Sequence, residues 1–308
     1  MTHKEFLASI SAEDRARLTA ASNRAGLRHL FVNLALIVLC VVLIIARVPG
    51  WPIAMLPLGL LLTFLFTLQH ECTHKTPFAS ARLNDVVGHG CGVILCQPFL
   101  WFRYFHLTHH RWTNIPGKDP ELDAPKPETW PEWLWHVSGV PFWAAMGSVV
   151  VRLAFGRERP DYLPEKARRA AEIEARCLIF VYILVLLSLF VSSIALWIWI
   201  LPMLIGQPFL RLYLLAEHGD CPQVADMFDN TRTTYTSRLI RFLAWNMPYH
   251  AEHHVWPMVP FHRLPDLHDR MKANLRQTED GYANFTRAYL DRRDLLPGWL
   301  GQGRRGGS

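Results

Sequence analysis

No two of the six cysteines in this 308-residue chain have the CxxC spacing of a thiolate zinc site or a redox dithiol. Several of them lie in or beside hydrophobic runs, which also argues against a disulfide framework. Charged residues are scarce, at 19% of the chain, and they are nearly absent from two long runs of apolar residues. No internal repeat is found apart from these two runs. Their distribution, rather than the overall composition, indicates a membrane protein.

The two hydrophobic runs cover residues 30–68 and 177–215 and are equal in length. As a helix, each would extend roughly 58 Å at about 1.5 Å per residue. Because that length is about twice the hydrocarbon thickness of a bilayer, each run predicts a transmembrane hairpin. We expect the turns at Pro49-Gly50 and near Ser192-Ser193, where helix-breaking or small polar residues interrupt the pattern.

The predicted fold is an all-α integral membrane protein of one domain, residues 1–308, with four transmembrane helices. Two further apolar stretches, Val86 to Phe102 and Trp133 to Phe155, contain interrupting polar residues, Pro or Gly. We expect them to form interfacial or re-entrant helices rather than spans. In order, the chain is divided into hairpin 30–68, a central cytoplasmic or interfacial segment 69–176, hairpin 177–215, a cytoplasmic histidine-rich cap 216–300 and a tail 301–308.

Basic residues predict the orientation. Arg47 is the only Lys or Arg in either expected hairpin turn, so the N-terminal, central and C-terminal segments should be cytoplasmic. Residues 1–28 are polar and charged, and we expect a cytoplasmic lead-in there rather than a secretory signal. The net charge of +6 is assigned to this topology and to anionic headgroups, with docking of an acidic electron carrier as a further possibility. No nucleic-acid partner is expected.

Eight of the 15 histidines occur in three short clusters: HxxxH at 70–74, and HxxHH at 106–110 and at 250–254. Residues three or four apart share one face of a helix, so each cluster can aim its imidazoles at one point. Eight imidazoles are too many for one tetrahedral zinc and suit two first-row metals such as iron. The candidate ligands are His70, His74, His106, His109, His110, His250, His253 and His254.

Topology indicates that these clusters meet. Each predicted hairpin returns the chain to the side from which it entered, so all three clusters should face the cytoplasm at the membrane surface. His218 follows the second hairpin as His70 follows the first, and we add it as a ninth candidate ligand. The other six histidines are interpreted as structural or surface residues.

The three clusters, their order and their flanks resemble the membrane fatty-acid desaturase and hydroxylase family. The flanks are 109–114 (His-His-Arg-Trp-Thr-Asn) running on to Asp119-Pro120-Glu121, and Asn246 before the last cluster. The resemblance covers about Leu30 to His268. It implies four transmembrane helices under a cytoplasmic cap, two irons held by the clustered histidines, O2 as co-substrate and a ninth histidine ligand that His218 matches.

The resemblance also implies partners. A lipid or lipid-like substrate is expected, with electrons from a separate donor such as ferredoxin or another small redox protein, since these residues include no fused redox domain. The segments 218–222 and 230–234 depart from well-known acyl-CoA desaturases and are closer to bacterial members that act on less common substrates. We therefore expect a bacterial inner membrane, with the site and both termini on its cytoplasmic side.

Several other polar residues are candidates for supporting roles. Carboxylates near the clusters, Glu71, Asp85 and Glu252, could accept hydrogen bonds from ligand imidazoles, as could Asn246, or they could simply be solvated. Arg211 lies late in the second hairpin, where charge is costly and usually functional. It could hold an acidic substrate head or a carboxylate near the metals, or it could extend to the interface.

Three alternatives to desaturation remain open. The same diiron site could hydroxylate a lipid, a carotenoid or a small amphipathic substrate. Residues 70–74 also read HExxH, in which Glu71 would be the general base of a membrane zinc hydrolase, although that site would leave six clustered histidines unused. A histidine-rich metal transporter or sensor is the third, and the lack of a polar pathway in the span interiors argues against it.

Overall fold

A computed structural model describes residues 1–295, so the tail 301–308 and the end of the cap, 296–300, lie outside the described residues. The protein is mostly helical, at 70%, with almost no sheet. The helices are α1 (His3–Ser9), α2 (Ala12–Leu18), α3 (Asn23–Ile45), α4 (Met55–Thr63), α5 (Leu65–His74), α6 (Ala81–Leu95), α7 (Phe99–Trp112), α8 (Trp130–Ser138), α9 (Val140–Ala154), α10 (Glu165–Ser188), α11 (Leu201–His218), α12 (Met227–Asn230), α13 (Arg238–Leu243), α14 (His250–Val255), α15 (Leu264–Met271) and α16 (Tyr282–Arg292).

Short tight turns and one small sheet complete the described part. The 3₁₀ turns are Trp51–Ala54, Pro120–Asp123, Phe261–Arg263 and Lys272–Asn274, and a π-helical turn, Leu196–Ile200, precedes α11. The strands β1 (Thr233–Tyr235) and β2 (Thr278–Asp280) pair in parallel, with Thr233 opposite Thr278. This pairing holds the segment after α12 against the segment before α16, so two distant parts of the cap are in contact.

Within residues 1–295, three helical stretches are long and apolar enough to cross a membrane: Ala12–Ile45, Trp51–His74 and Leu196–His218. The count becomes four if α8 and α9, which meet at a bend of 55°, are taken as one broken span. The structure therefore supports an all-α membrane protein with three or four candidate spans. The helix break between α3 and the second stretch falls at the Pro49-Gly50 position that the sequence marks.

The helix α10 differs from the sequence expectation of a span over the first half of run 177–215. It begins at Glu165, and its uninterrupted apolar part, Cys177 to Ser188, is shorter than the roughly 20 residues that a simple span needs. Acidic and basic side chains in its first half explain why it is not among the candidate spans. Its apolar half is nevertheless exposed, with Phe180 62% and Leu186 58% accessible, as for a surface that meets lipid.

The tightest helix crossing brings α4 against α11 at two glycines. A Cβ at Gly59 would come within 2.2 Å of the Pro202 carbonyl oxygen, and a Cβ at Gly206 within 2.2 Å of the Gly59 carbonyl oxygen. Small residues allow such close approach of transmembrane helices. Because α5 continues α4 and carries His70, this crossing places the first histidine cluster beside the helix that ends at His218.

The helices of the cap pack together around a buried hydrophobic cluster. Phe6 of α1 and Leu18 of α2 join Met247, Leu264 and Met271 in one buried cluster. The N-terminal helices are therefore part of the cap rather than a separate arm. Their contact fixes α14 and α15 against the ends of the membrane helices, which is where the third histidine cluster lies.

Candidate metal centre

Four elements carry the nine candidate histidines. The first cluster lies on the last turns of α5, where Lys75 ends the helix in a left-handed conformation (φ 61°). The second cluster forms the end of α7, the third occupies the short helix α14, and His218 is the last residue of α11. All nine side chains are buried, none more than 9% exposed. Nine buried imidazoles in one region are the main feature of the structure.

Five of these histidines form one group. Ligand nitrogens of His70, His74, His106, His110 and His253 all lie within 4.8 Å of one another. The Nε2 atoms of His70 and His253 are 2.6 Å apart, and those of His74 and His106 are 2.9 Å apart. The group thus draws on all three clusters.

The remaining four form a second group beside the first. Nitrogens of His109, His218 and His254 lie within 4.8 Å of one another. The Nε2 atom of His250 is 3.1 Å from that of His218, which in turn is 3.2 Å from Nε2 of His109. The rings of His110 and His254 stack at 4.0 Å and connect the two groups. His218, chosen from its position after a span, lies at the centre of the second group.

Burial sets the protonation of the imidazoles. It lowers the pKa of His106, His110, His250, His253 and His254, and the neighbouring imidazoles lower it further. These rings are therefore neutral at pH 7, which is the form that binds a metal. His109 differs: burial would lower its pKa, but the carboxylates of Glu121 and Asp119 outweigh that effect and raise it.

Carboxylates contact the outer nitrogens of three candidate ligands. Asp119 accepts a hydrogen bond from Nδ1 of His109 at 2.9 Å. Oε1 of Glu217 lies 3.3 Å from Nδ1 of His250. Oε1 of Glu71 lies 3.4 Å from Nδ1 of His253. The hydrogen bond from His109 to Asp119 fixes the tautomer of that ring and leaves its Nε2 free to bind a metal, whereas the other two carboxylates lie near their rings without forming a hydrogen bond.

Two further ligands are oriented by neutral groups. The Nδ1 atom of His218 lies 3.1 Å from the Asn230 carbonyl oxygen, and Nδ1 of His254 lies 3.1 Å from Oγ1 of Thr113. The Asn230 side chain donates to the Thr113 carbonyl oxygen at 3.0 Å. The two residues that contact these ligands are therefore hydrogen-bonded to each other. Asn230 is thus built into the histidine site.

A family model described as fatty acid desaturase matches residues 46–286. This chain belongs to the fatty acid desaturase family.

Relatives include the sn-1 oleoyl-lipid 12-desaturase of Anabaena variabilis, 24% identical over 78% of this chain and 81% of the relative. The fatty acid desaturase of Bacillus subtilis (strain 168) is 24% identical, with 68% and 64% covered. The chloroplastic omega-6 fatty acid desaturase of Arabidopsis thaliana is 23% identical, with 75% and 55% covered. Family and relatives support an enzyme, with desaturation favoured over hydroxylation.

The histidines of this desaturase-family chain fit a metal site. Several buried ring nitrogens, among them both nitrogens of His110 and Nε2 of His254, have no hydrogen-bond partner among residues 1–295. Unpartnered buried nitrogens are costly unless another group, such as a metal, completes them. The histidine clusters thus match the histidine boxes expected from the sequence and form a buried metal site.

The four polar residues suggested from the sequence as supports have different surroundings. Glu71 reaches a ligand, as described above, while its Oε2 accepts hydrogen bonds from Thr76 and the Phe261 backbone. Glu252 instead accepts from Thr233 and contacts His268. Asp85 pairs with Arg103 at 2.5 Å, and the Asn246 side chain donates to the Phe261 carbonyl oxygen.

Sequence reasoning missed the supporting roles of Asp119, Glu217, Thr113 and Asn230. Asp119 and Thr113 did carry a signal, since both belong to the family flank after the second cluster. Glu217 immediately precedes His218, but its contact is with His250 of another helix. Asn230 acts through its backbone carbonyl, which leaves no trace in the side-chain pattern.

Proposed function

We propose that this protein is an O2-dependent diiron desaturase that removes two hydrogens from adjacent methylene carbons of a fatty-acyl or other lipid-like substrate. The observation that supports this most directly is the arrangement of nine buried histidines as a group of five beside a group of four. One iron would be held by His70, His74, His106, His110 and His253. The other would be held by His109, His218, His250 and His254.

The membrane arrangement belongs to the same proposal. We take α3, the stretch Trp51–His74, α10 and the stretch Leu196–His218 as four spans, with α8 and α9 as a re-entrant pair. The exposed apolar surface of α10 supports its place in the bilayer, and its charged first half would extend into the cytoplasm. This topology puts the site and both termini on the cytoplasmic face of a bacterial inner membrane.

The reaction balances as one CH2–CH2 unit, one O2, two electrons and two protons giving one CH=CH unit and two water molecules. The irons would supply O2 activation and the removal of hydrogen from unactivated C–H bonds, which no side-chain acid or base can achieve. The electrons would come from a separate redox protein, such as a ferredoxin.

The chain's own residues prepare the site. Burial keeps the imidazoles of the third cluster neutral, and Asp119 accepts a hydrogen bond from Nδ1 of His109, while Glu217 and Glu71 lie near Nδ1 of His250 and His253. Nearly complete exclusion of solvent from the nine rings limits side reactions with water. The Glu71 carboxylate is fully buried and hydrogen-bonded to Thr76 and Phe261, so it is committed to structure rather than free to act as the base of a zinc hydrolase.

The test is mass spectrometry of lipids and small polar metabolites from aerated cells that express the intact protein or its His109→Ala variant. A product lacking two hydrogens, made only by the intact protein, supports desaturation. A product gaining one oxygen would assign hydroxylation to the same site and overturn the desaturase proposal. Identical metabolites in both strains, with one tightly bound zinc in the purified protein, would overturn the diiron assignment as well.

A further inference from the structure

A cluster of buried polar side chains lies where the bend between α8 and α9 meets α11. Gly139 forms the bend with φ of 74°, in the left-handed region that favours glycine, and a Cβ there would come within 2.2 Å of Cγ of Gln207. Gln207 therefore packs directly against the bend and is only 1% exposed. Arg211 follows one turn later on the same face of α11, and its guanidinium lies over the Phe142 ring of α9 at 4.2 Å.

This cluster contains buried hydrogen-bond donors that have no acceptor. Nε2 of Gln207 and both Nε and Nη2 of Arg211 are buried without a hydrogen-bond partner in the described part of the chain. The His136 ring lies beside the Arg211 backbone, so the three side chains are neighbours. A buried donor left unpaired costs about 1–3 kcal/mol, and a charged one costs more. Several in one place indicate a site for a ligand.

The nearby carboxylates do not satisfy Arg211. Glu121 and Glu217 are its charged neighbours, but within residues 1–295 neither comes close enough to form an ion pair with it. Each is placed instead at a histidine: Oε2 of Glu121 is 3.6 Å from Nδ1 of His109, and Glu217 lies against His250. The positive charge of Arg211 thus remains available beside the metal centre.

The donors define the chemistry of the ligand. A guanidinium and an amide N–H together suit a negatively charged group with two acceptor oxygens, because Arg binds a carboxylate through two parallel hydrogen bonds. Seven residues separate Arg211 from His218, which is roughly 10 Å along an α-helix. A group bound here would therefore lie close to the metals, and on the bilayer side of them in the proposed topology.

We propose that this polar cluster binds the carboxylate of an acidic, amphipathic substrate, and that the oxidised carbon lies within about 10 Å of the acid group. The inference rests on the proposed function and narrows its substrate class. It disfavours the phosphodiester of an intact membrane lipid, since headgroups lie at the bilayer surface rather than below the metals. The acid would pair with Arg211 and accept a hydrogen bond from Gln207.

The experiment measures binding without turnover. The full chain in detergent, with its metal content determined and no electron donor added, is titrated calorimetrically with decanoate, decanol and decyl phosphate. Decanoate should bind about tenfold or more tightly than decanol, since a charge-assisted hydrogen bond contributes about 1.5–3 kcal/mol. The preference should shrink to about twofold or less in Arg211→Gln, and Gln207→Leu should reduce it partially.

Controls separate this inference from the proposed function. Arg169→Gln, which removes an exposed arginine of α10, should keep the full preference for decanoate. Arg211→Lys retains the charge but not the paired donors, and should weaken decanoate binding less than Arg211→Gln. Equal affinity for decanoate and decanol, a preference that survives Arg211→Gln, or tenfold tighter binding of decyl phosphate would each overturn the carboxylate site. Those results would leave the metal content and the O2-dependent product untouched, whereas loss of either of these would contradict the proposed function itself.

Discussion

The Asn230 carbonyl oxygen lies 3.1 Å from Nδ1 of His218, while the amide of the same residue donates to the carbonyl oxygens of Thr113 and Val224 at 3.0 and 2.8 Å. One residue therefore orients a candidate ligand at the end of α11 and holds the end of the second histidine cluster. Thr113 in turn contacts His254. Three parts of the metal site depend on this last residue of α12.

Replacing Asn230 with Ala should weaken the second histidine group first. The Thr113 and Val224 carbonyl oxygens would lose their partner in a buried region, at a cost of about 1–3 kcal/mol. We expect a lower thermal unfolding midpoint and partial loss of bound iron, measured by differential scanning calorimetry and elemental analysis. Asn284→Ala, on the exposed face of α16, is the matched control and should change neither quantity. Full iron content in Asn230→Ala would contradict the role assigned to the Asn230 side chain.

Replacing Asp119 with Asn should lower iron affinity without removing a ligand. The carboxylate accepts from Nδ1 of His109, and an amide lacks the charge that strengthens this contact. Loss of such a partner typically costs 10–100-fold in metal affinity, roughly. Competition with a calibrated chelator measures the change. Asp123→Asn, an exposed neighbour, serves as the control, and unchanged affinity in Asp119→Asn would show that the contact does not tune the metal.

Variants of Glu71 and Glu252 should distinguish a residue that supports the metal site from one that supports the fold. Glu71→Gln should lower iron affinity, because its carboxylate lies 3.4 Å from Nδ1 of His253. Glu252→Gln should mainly lower stability, since its carboxylate accepts from Thr233 at 2.6 Å and contacts His268 rather than a candidate ligand. Chelator competition and thermal unfolding of both variants distinguish the two roles. The reverse pattern would mean that the assigned contacts are misplaced.

The metal-free protein should lose stability as the pH falls below about 6.5, the usual pKa of histidine. Burial lowers the pKa of His250, His253 and His254 in the folded state, so the unfolded chain binds more protons in this range. Stability therefore rises with pH up to about 6.5 and is progressively lost below it, by up to about 1.4 kcal/mol per pH unit for each such histidine. Unfolding midpoints of the metal-free protein from pH 7.5 to 5.5 test this, and a flat profile would contradict it.

The contact between Gly59 and Gly206 should be essential for bringing the histidine clusters together. Gly206→Leu would force α4 and α11 apart, because even a Cβ at this position meets the Gly59 carbonyl oxygen at 2.2 Å. We expect poor folding or loss of iron in this variant, measured by size-exclusion chromatography and elemental analysis. Gly147→Leu, on α9 where a Cβ meets nothing within 4 Å, is the control. Normal iron loading in Gly206→Leu would argue against this crossing.

The sequence predicted the histidine clusters well because each cluster is formed by residues that are close together in the sequence. Spacings of three and four residues determine which imidazoles share a helix face, and the paired hydrophobic runs predict on which side of the membrane they meet. The same reasoning selected His218, since its depth relative to a span is readable from the sequence alone. Family, membrane class and metal-site region could therefore be anticipated.

What the sequence did not reveal depends on contacts between distant segments. The Glu217 carboxylate meets His250 of another helix, and Asn230 contributes a backbone carbonyl that every residue type possesses. The helix α10 begins before the apolar run, since charged residues such as Glu172 and Glu174 are compatible with a continuous helix even though they end the apolar run. The hydropathy pattern indicates where contact with lipid ends, but it does not indicate where a helix begins or ends.

The most direct test of the account is the iron stoichiometry of the purified chain and of its His218→Ala variant, combined with Mössbauer spectroscopy of protein loaded with ⁵⁷Fe. The account predicts two irons per intact chain, both with nitrogen-rich ligation, and preferential loss of the iron in the second group when His218 is removed. One metal ion per chain, or two irons that are unaffected by His218→Ala, would contradict the division of the nine histidines into two metal sites.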